Sequence, residues 1–455
     1  MNRTRSAAGL AIVAALCLSV GSAASLRAQA AAGQEGAAKP QYTMAEYNSY
    51  QACATEKNPA AQVKCLDDFV AKYPNSQLMT FVLPLYVQAY SNLKNYPKVI
   101  EYADKTAALG DKADAATRYN AYYTHAVAWY TLISDPNNKA AQSDAAMAKS
   151  AQDAVDSALK TLPEVKKPEN VADDVFNKQK ETSQVTLNGI GAQSAMIQKD
   201  YPKAVEYYKA VLALDPEEPV TNYRLGQAYL AMTPPQTMDA FWYVARAISS
   251  KKATQQQVTS LKTYLRKLIA NYQQAACDNL TDAELAELIQ LAGSSPTRPE
   301  TYKLPSVDDL TAARKDMTIA SVIADLKAGG DKGKVTWLAA CGLEFPDVPG
   351  KLIEITPGSD SVELKVAFVT NDAEFQAATT PNMDVKIVGQ PEAARLEKDN
   401  PVRFTATLVS YDPDPNFMLH WDKGKVNAED IPKEKEAPKR PTRRPPPKRP
   451  GGRSN

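Results

Sequence analysis

The chain has 455 residues, of which 53 are Lys or Arg, 52 are Asp or Glu, and only two are histidine. A net charge of +1 argues against a dedicated nucleic-acid binder, because such domains are usually strongly basic. Two histidines leave little material for histidine-based zinc sites or for a Ser-His-Asp triad. A chain of this length accommodates two or three domains with their own cores.

The first thirty residues have the layout of a secretory signal peptide. Arg3 and Arg5 precede an apolar run at residues 7–20, and small residues follow it. The run is too short to cross a bilayer as a folded helix, so we predict that residues 1–30 are a signal peptide and that the protein is periplasmic or secreted. Cleavage is expected after Ala30, and the residues 21–23, Gly-Ser-Ala, offer a second cleavage point. Cys17 follows a leucine and not a small residue, so no lipid anchor is expected. No later segment has the roughly 18 apolar residues that a transmembrane helix needs, so we expect none in the mature protein.

Four cysteines remain after Cys17 is removed, namely Cys53, Cys65, Cys277 and Cys341. An even number in an oxidising compartment permits two disulfides, with three possible connectivities. Cys53 and Cys65 lie on successive helical segments, so a bridge between them would pin one helix hairpin. The alternative is that the cysteines are buried free thiols.

The strongest internal signal is a self-match between two segments. Residues 95–109 read NYPKVIEYADKTAAL, and residues 200–214 read DYPKAVEYYKAVLAL. Each has a stripe of small and medium side chains at helical spacing, formed by Val99, Ala103 and Thr106 in one and by Ala204, Tyr208 and Val211 in the other. The stripes predict two helices that pack closely on their neighbours.

With these residues the chain resembles the tetratricopeptide repeat (TPR) family, whose unit is a pair of antiparallel helices about 34 residues long. The best unit spans residues 219–249. The positions that match the family pattern are Leu225, Gly226, Tyr229, Ala240 and Ala247 in this unit, and Tyr201, Ala204, Tyr208 and Pro216 in the preceding one. The preceding unit departs from the pattern at Gly191 and Ala192, which stand where the family has Leu-Gly, and Tyr86 and Val87 take the same places in the earlier copy.

The resemblance implies an all-α helical-repeat solenoid over residues 45–293, preceded by a linker at 31–44. About five helix hairpins are expected before residue 250. Closing helices are expected at 255–274 and after a capping box, Thr-Asp-Ala-Glu, at 281–284.

Repeat solenoids bind through concave surfaces assembled from successive units, so a protein or peptide partner is expected in the groove. The groove candidates are polar residues on predicted first helices: Asn188, Asn222, Arg224 and Gln227. A helix around residues 119–130 is crowded with tyrosines, which form either an aromatic-lined groove or, as we favour, knobs packed between helices. We interpret His125 in the same helix as a core or rim histidine.

A Pro-rich linker at residues 294–307 separates the repeats from a region of β character at 308–432. A short helix is predicted at 317–326, and alternation replaces helical spacing from Lys334 onward. Strands are predicted at 352–355, 362–368, 383–388, 402–411 and 417–426. Five strands with a long interruption after the third resemble the OB fold, a small Greek-key barrel.

In OB-fold proteins ligands lie on strands two and three and against loops that correspond here to residues 357–361 and 412–416. Neither loop is basic, so no nucleic-acid partner is expected. Trp337, Phe417 and Trp421 form either a stacking surface or, as we favour, part of the core.

Residues 433–455 contain nine Lys or Arg, two Glu and six Pro. This composition predicts a disordered tail, which is a solvated terminus or acts as an electrostatic tether to anionic material. The tether would reach an anionic envelope surface or dock on the protein's own body, because residues 31–432 carry a net charge of −9.

The sequence contains no G-x-S-x-G, H-E-x-x-H, P-loop or C-x-x-C motif, and we expect no catalytic, metal or cofactor site. The fold class is therefore multidomain: a TPR-like α solenoid, a small OB-like β-barrel and a basic tail. We predict a non-enzymatic extracytoplasmic scaffold for protein–protein interaction. The alternative is a cell-wall or carbohydrate-binding module in which the barrel recognises the ligand.

Overall fold

The computed structural model describes residues 42–433, which are mostly helical with a closed five-stranded β-barrel near their end. The predicted signal peptide, most of the linker at 31–44 and all but the first residue of the basic tail lie outside the described residues. Within them, no helix has both the length and the apolar character that crossing a bilayer requires. The chain divides into two compact units. One, which we call the helical unit, contains the residues up to Leu265 and Ala286–Tyr302, and the other contains Arg266–Leu285 and the residues from Lys303 onward.

The first unit is a succession of helices in which each long helix packs on the next one along the chain. Its helices are α1 Met44–Thr55, α2 Pro59–Lys72, α3 Met79–Asn92, α4 Tyr96–Ala107, α5 Ala115–Ser134, the short α6 Lys139–Ser143, α7 Ala145–Thr161, α8 Asp173–Gln198, α9 Tyr201–Leu214, α10 Pro219–Ala231 and α11 Thr237–Ser249. Helices α12 Gln255–Gln273 and α13 Asp278–Ser294 are each divided between the two units. Short connections between packed neighbours make these elements helix hairpins.

The self-match marks the start of two helices. Asn95 and Asp200 are N-caps whose side chains accept hydrogen bonds from the backbone N–H of Lys98 and Lys203, and Tyr-Pro follows each cap. The two predicted stripes are buried, as expected: Val99, Ala103 and Thr106 in α4, and Ala204, Tyr208 and Val211 in α9.

The unit at residues 219–249 shows the close helix packing that its pattern predicts. A Cβ atom at Gly226 of α10 would lie 2.8 Å from Val244 Cγ2 and 2.9 Å from the carbonyl oxygen of Ala240 in α11. The other matching positions of this unit, Leu225, Tyr229, Ala240 and Ala247, are buried. Pro216 is exposed in the turn before α10, and Tyr201 is half-buried at the start of α9.

Two expectations about helix positions are wrong. Helix α13 begins at Asp278, so Thr281 and Glu284 are buried inside it and do not form a capping box. The stretch from Lys334 is helical and not β, because α16 covers Gly330–Ala340 after α14 Val307–Lys315 and α15 Ile319–Ala328. Glycine and alanine in this stretch leave no apolar stripe at helical spacing in the sequence.

The barrel has five strands, as predicted. They are β1 Glu344–Pro357, β2 Ser361–Phe368, β3 Met383–Val388, β4 Pro401–Asp412 and β5 Met418–Val426, with a short helix, α17 Asp372–Ala377, between β2 and β3. The order is β1-β2-β3-β5-β4, and the barrel closes by antiparallel pairing of β4 with β1. The one parallel pair of this barrel joins β3 to β5.

Alternate residues of β2, β3, β4 and β5 are buried in the barrel, as the alternating pattern predicted, whereas β1 has three successive buried residues, Gly350, Lys351 and Leu352. Trp421 is 2% exposed and meets Phe345 and Phe404 edge to face, with ring centroids 5.5 and 5.9 Å apart. Phe417 is also buried, and Trp337 is half-buried with its ring 4.9 Å from Tyr411. These aromatic residues pack into the core and its margin and do not form an open stacking surface.

The four cysteines form two disulfides. Cys53 to Cys65 joins α1 to α2 with 5.4 Å between Cα atoms, and Cys277 to Cys341 joins the residue before α13 to the residue after α16 with 6.0 Å between Cα atoms. Each bridge lies within one unit, and the first pins the leading hairpin as the sequence indicated.

Candidate interaction surfaces

A tyrosine-lined cavity of about 440 Å³ lies between α2, α3 and α4. Its lining is mostly apolar and consists of Asp67, Val70, Ala71, Met79, Leu83, Tyr86, Tyr102 and Lys105. The rings of Tyr86 and Tyr102 stack with centroids 4.2 Å apart, and Tyr90 stacks beside both. The site therefore has an aromatic platform in which Tyr102 and Tyr90 are half-buried and Tyr86 is only 1% exposed, with one carboxylate and one ammonium group at its edges.

Hydrogen bonding and charge fix the orientation of this platform. The hydroxyl of Tyr86 donates to Asp67 Oδ1 over 2.7 Å, and the ammonium of Lys105 lies 4.3 Å from the ring centroid of Tyr102. Burial, followed by the bond to Asp67, raises the pKa of Tyr86 well above its usual value, and burial also raises the pKa of Tyr90. Both phenols are therefore neutral at physiological pH.

The two self-matching copies differ at one position that affects this platform. Tyr102 in the first copy corresponds to Tyr207 in the second, and the same offset relates Tyr86 to Gly191. The ring of Tyr207 lies against the backbone of Gly191, where a Cβ atom would be 2.8 Å from ring carbons. The first copy thus has two stacked rings where the second has one ring on a glycine.

In the second copy, too, the hydroxyl of a buried tyrosine bonds to an aspartate. The hydroxyl of Tyr207 in α9 donates to Asp156 of α7 over 2.5 Å, as Tyr86 in α3 donates to Asp67 of α2. Burial and then this bond raise the pKa of Tyr207. A hydrogen bond from a buried tyrosine hydroxyl to an aspartate of an earlier helix thus occurs in both copies.

The tyrosine-rich helix α5 uses its rings for packing between helices, as we favoured. Tyr119 is 1% exposed, its ring lies 5.8 Å from that of Tyr123, and burial raises its pKa to about 12. His125 is also buried, and its Nδ1 lies 2.6 Å from Asp104 Oδ1. This places His125 in the core, as the sequence indicated.

Two of the four groove candidates are buried, and their side-chain amides donate to backbone carbonyls of nearby residues. The amide of Asn188 donates to the carbonyl of Gln184 over 2.7 Å. Asn222 is 0% exposed, and its amide donates to the carbonyls of Pro216 and Glu218, which closes the turn between α9 and α10. Neither residue presents a polar face to a groove, because both amides are buried and both amide nitrogens bond to backbone carbonyls. The amide oxygen of Asn222 is buried without a hydrogen-bond partner in the described part of the chain.

The other two candidates, Arg224 and Gln227, are half-buried on α10. Gln227 donates to the hydroxyl of Tyr223 over 2.7 Å, and the ring of Tyr223 meets that of Tyr264 edge to face at 5.7 Å. Burial raises the pKa of Tyr208 to about 12, and the nearby Arg224 guanidinium opposes the shift. These four partly accessible side chains, Tyr223, Arg224, Gln227 and Tyr264, form a second aromatic and polar surface.

A row of polar contacts crosses the outer face of the barrel. Lys365 of β2 lies 2.9 Å from Asp384 of β3, His420 of β5 lies 3.4 Å from Asp384, and the other ring nitrogen of His420 lies 2.9 Å from Asp412 at the end of β4. Since each member already has a partner, we assign the row to holding the strands together.

A polar cavity of about 370 Å³ lies on another side of the barrel, between β1, β4 and β5. Its lining is Glu344, Asp347, Phe404, Thr405, Lys423, Lys425, Val426 and Asn427. Within residues 42–433, no group of three or more His, Cys, Asp and Glu side chains is placed to hold a metal ion.

The class of protein that this architecture defines is a helical-repeat protein with a C-terminal β-barrel. No protein-family model and no curated protein matches the chain. Among solved structures, the chain is similar to the crystal structure of the C-terminal part of a TPR repeat-containing protein from Cytophaga hutchinsonii. The two are 15% identical, the match covers 56% of this chain and 97% of the other, and the TM-score is 0.26.

Proposed function

We propose that this chain is a non-enzymatic extracytoplasmic scaffold that binds a protein or peptide partner through its helical unit. The observation that carries the proposal is the tyrosine-lined cavity between three successive helices. Tyrosine is enriched among the residues that dominate binding energy at protein interfaces, because its ring buries a large area and its hydroxyl still finds a partner. The second surface, with Tyr223 and Arg224, adds the same residue types on a later repeat.

The repeats are proposed to be TPR-like and the barrel OB-like. Support for the repeats comes from the small residues of α10 and α11. At Gly226 the two helices approach so closely that a Cβ atom would overlap Val244 and Ala240 of α11. Support for the barrel comes from five strands in which the third pairs with the fifth, so that the strands do not follow chain order around the barrel.

The extracytoplasmic location is supported by the two disulfides, because such bonds persist in oxidising compartments. The basic composition of residues 433–455 supports the proposal that the tail tethers the protein to an anionic envelope surface.

Site-specific photo-crosslinking of the full chain tests the scaffold role. A photoreactive amino acid is placed at Lys105 beside the cavity, at Gln227 on the second surface, or at the exposed Lys160 of α7 as a matched control. We expect discrete protein adducts from envelope extract at Lys105 or Gln227 and none at Lys160. Equal labelling at all three positions, or no adduct, would contradict the proposal. Retention of the full chain on insoluble peptidoglycan without any protein adduct would favour the carbohydrate-binding alternative.

A further inference from the structure

The negative charge of the body is concentrated in the barrel region. Residues 344–433 contain 16 acidic and 9 basic side chains, a net charge of −7, whereas residues 31–343 have a net charge of −1. The segment that follows, residues 434–455, contains eight Lys or Arg and two Glu, a net charge of +6. A strongly acidic barrel is therefore joined directly to a strongly basic segment.

Four segments of the barrel region contain most of its carboxylates. Ten of the sixteen lie in residues 344–357, 371–378, 391–405 and 427–433, which contain five of the nine basic side chains. These ten are Glu344, Asp347, Glu354, Asp372, Glu374, Glu392, Glu397, Asp399, Glu429 and Asp430. We call the surface formed by these four segments the exit face, because the described chain ends on it.

Side-chain contacts show that the four segments form one continuous surface. The ammonium of Lys351 in β1 donates to the carbonyl of Ala378 over 3.0 Å and lies 3.5 Å from Asp399. Arg403 at the start of β4 lies 2.9 Å from Asp430. Arg395 donates to the carbonyl of Pro432 over 3.5 Å, so Lys433 leaves the barrel beside residues 391–400.

Most carboxylates of the exit face form no ion pair within residues 42–433. Asp399, Glu429 and Asp430 are in ion pairs with Lys351 or Arg403. The remaining seven, Glu344, Asp347, Glu354, Asp372, Glu374, Glu392 and Glu397, make no ion pair with the described part of the chain. Glu344 and Asp347 also line the 370 Å³ cavity together with Lys423 and Lys425, and Asp347 interacts electrostatically with Arg403. The lining residue Asn427 is six positions before Lys433.

We propose that residues 434–455 bind the exit face of their own barrel. Arginine and lysine pair favourably with carboxylates, and the prolines of the segment favour an extended chain that loses little conformational freedom when it binds. At about 3.1 Å per residue, 22 extended residues reach about 70 Å, which exceeds the roughly 46 Å spanned by the fourteen residues of β1. The length and the charge of the segment therefore both fit this surface.

Binding in cis changes what an anionic surface must do to recruit the protein. A segment joined to its site has an effective concentration in the millimolar range, so an external polyanion must compete with the exit face for the same arginines and lysines. The inference goes beyond the scaffold role and rests on the charge of the barrel, so failure to find a partner for the helical unit leaves it unaffected.

Zero-length carbodiimide cross-linking of the full chain tests the proposal, because it joins lysine amines only to carboxylates in contact with them. We expect Lys435, Lys439 and Lys448 to link to the exit face in the monomer at low salt. At 1 M salt, where the screening length is about 3 Å, the yield should fall several-fold. Links that form equally with carboxylates of the helical unit, that form only between molecules, or that persist in high salt would overturn it.

Matched triple variants locate the surface. Glu354→Gln, Glu392→Gln and Glu397→Gln together should lower the cross-linking yield of the tail lysines several-fold. Asp68→Asn, Asp174→Asn and Glu181→Gln, three exposed carboxylates of the helical unit, should leave the yield unchanged. Equal yields in the two triples, with unchanged thermal unfolding, would contradict the assignment. Anionic vesicles added to the wild-type chain should reduce the cis links, and unchanged links on the vesicle-bound chain would contradict competition for the tail.

Discussion

The ring of Tyr207 lies on the backbone of Gly191, in space that a Cβ atom at residue 191 would have to share at 2.8 Å. Tyr86 takes the place of this glycine in the first copy and stacks on Tyr102, the counterpart of Tyr207. One position thus decides whether a repeat packs its tyrosine against a helix backbone or adds a second ring beside an accessible cavity.

Gly191→Ala should destabilise the helical unit by about 1–3 kcal/mol, because the new methyl group overlaps the ring of Tyr207. Gly189→Ala, two residues earlier in the same helix, is the matched control, since a Cβ atom there has no neighbour within 4 Å. It should stabilise the protein by up to about 1 kcal/mol through helix propensity. Urea unfolding of both variants measures the difference, and equal effects would contradict the packing role of Gly191.

Tyr86→Phe should lower the free energy of unfolding by about 0.5–1.5 kcal/mol at pH 7, because the hydrogen bond to Asp67 is lost while the ring stack remains. Urea unfolding at pH 7 measures the loss, with Tyr96→Phe as a control for removal of a half-buried phenol. A loss no larger than that of Tyr96→Phe would show that the bond to Asp67 contributes nothing.

The raised pKa of Tyr86 also predicts a pH dependence. Its contribution to stability is complete below pH 10, the pKa of an unperturbed phenol, and declines above it. The reason is that the unfolded phenol loses its proton while the folded one keeps it. Stability should therefore fall less steeply between pH 10 and 11 in Tyr86→Phe than in the wild type. Unfolding measured at both pH values decides this, and parallel slopes would contradict the prediction.

The two disulfides should contribute unequally to stability. Their sequence separations are 12 and 64 residues, and loop-closure entropy assigns about 3 kcal/mol to the shorter and about 4 kcal/mol to the longer. Cys53→Ser with Cys65→Ser should therefore cost less than Cys277→Ser with Cys341→Ser in denaturant unfolding. Alkylation of the mature chain without reductant should modify no cysteine, and modification of all four would contradict both bridges.

Arg298 should anchor the segment that follows α13 to α11. Its Nε lies 3.1 Å from Asp239 Oδ1, its Nη1 donates to the carbonyl of Tyr302 over 3.1 Å, and the ring of Tyr302 meets Trp242 edge to face at 6.0 Å. Arg298→Ala should cost about 1–3 kcal/mol, because a charge-assisted pair is broken and Asp239 loses its partner. Proteolysis between residues 296 and 302 should quicken in this variant and remain unchanged in Lys160→Ala, an exposed control.

The sequence predicted those elements whose local pattern agrees with their tertiary role. The alternation of apolar and polar residues predicted strands because every second side chain, such as those of Leu364 and Val366, fills the barrel. It missed α16, because small residues between Gly330 and Ala340 carry no apolar stripe. Polarity alone selected Asn222 for a groove, although this asparagine closes a turn.

The tyrosine cavity could not be derived from spacing alone, because Asp67, Tyr86 and Tyr102 come from three helices. The usable signal was the comparison of the two helices that precede the self-match, in which Tyr86 stands where the second copy has Gly191. Such a signal reports that two copies differ, but only the packing of the three helices shows that the difference lies beside a cavity.

The bridge between Cys277 and Cys341 has a practical consequence for dissecting the protein. Any division of the chain inside the linker at residues 294–307 leaves one half-cystine in each product, so both fragments would carry an unpaired thiol able to form mixed disulfides or covalent dimers. In the intact protein, conversely, a protease that nicks the same linker releases nothing, because the two products remain covalently joined until a reductant is added.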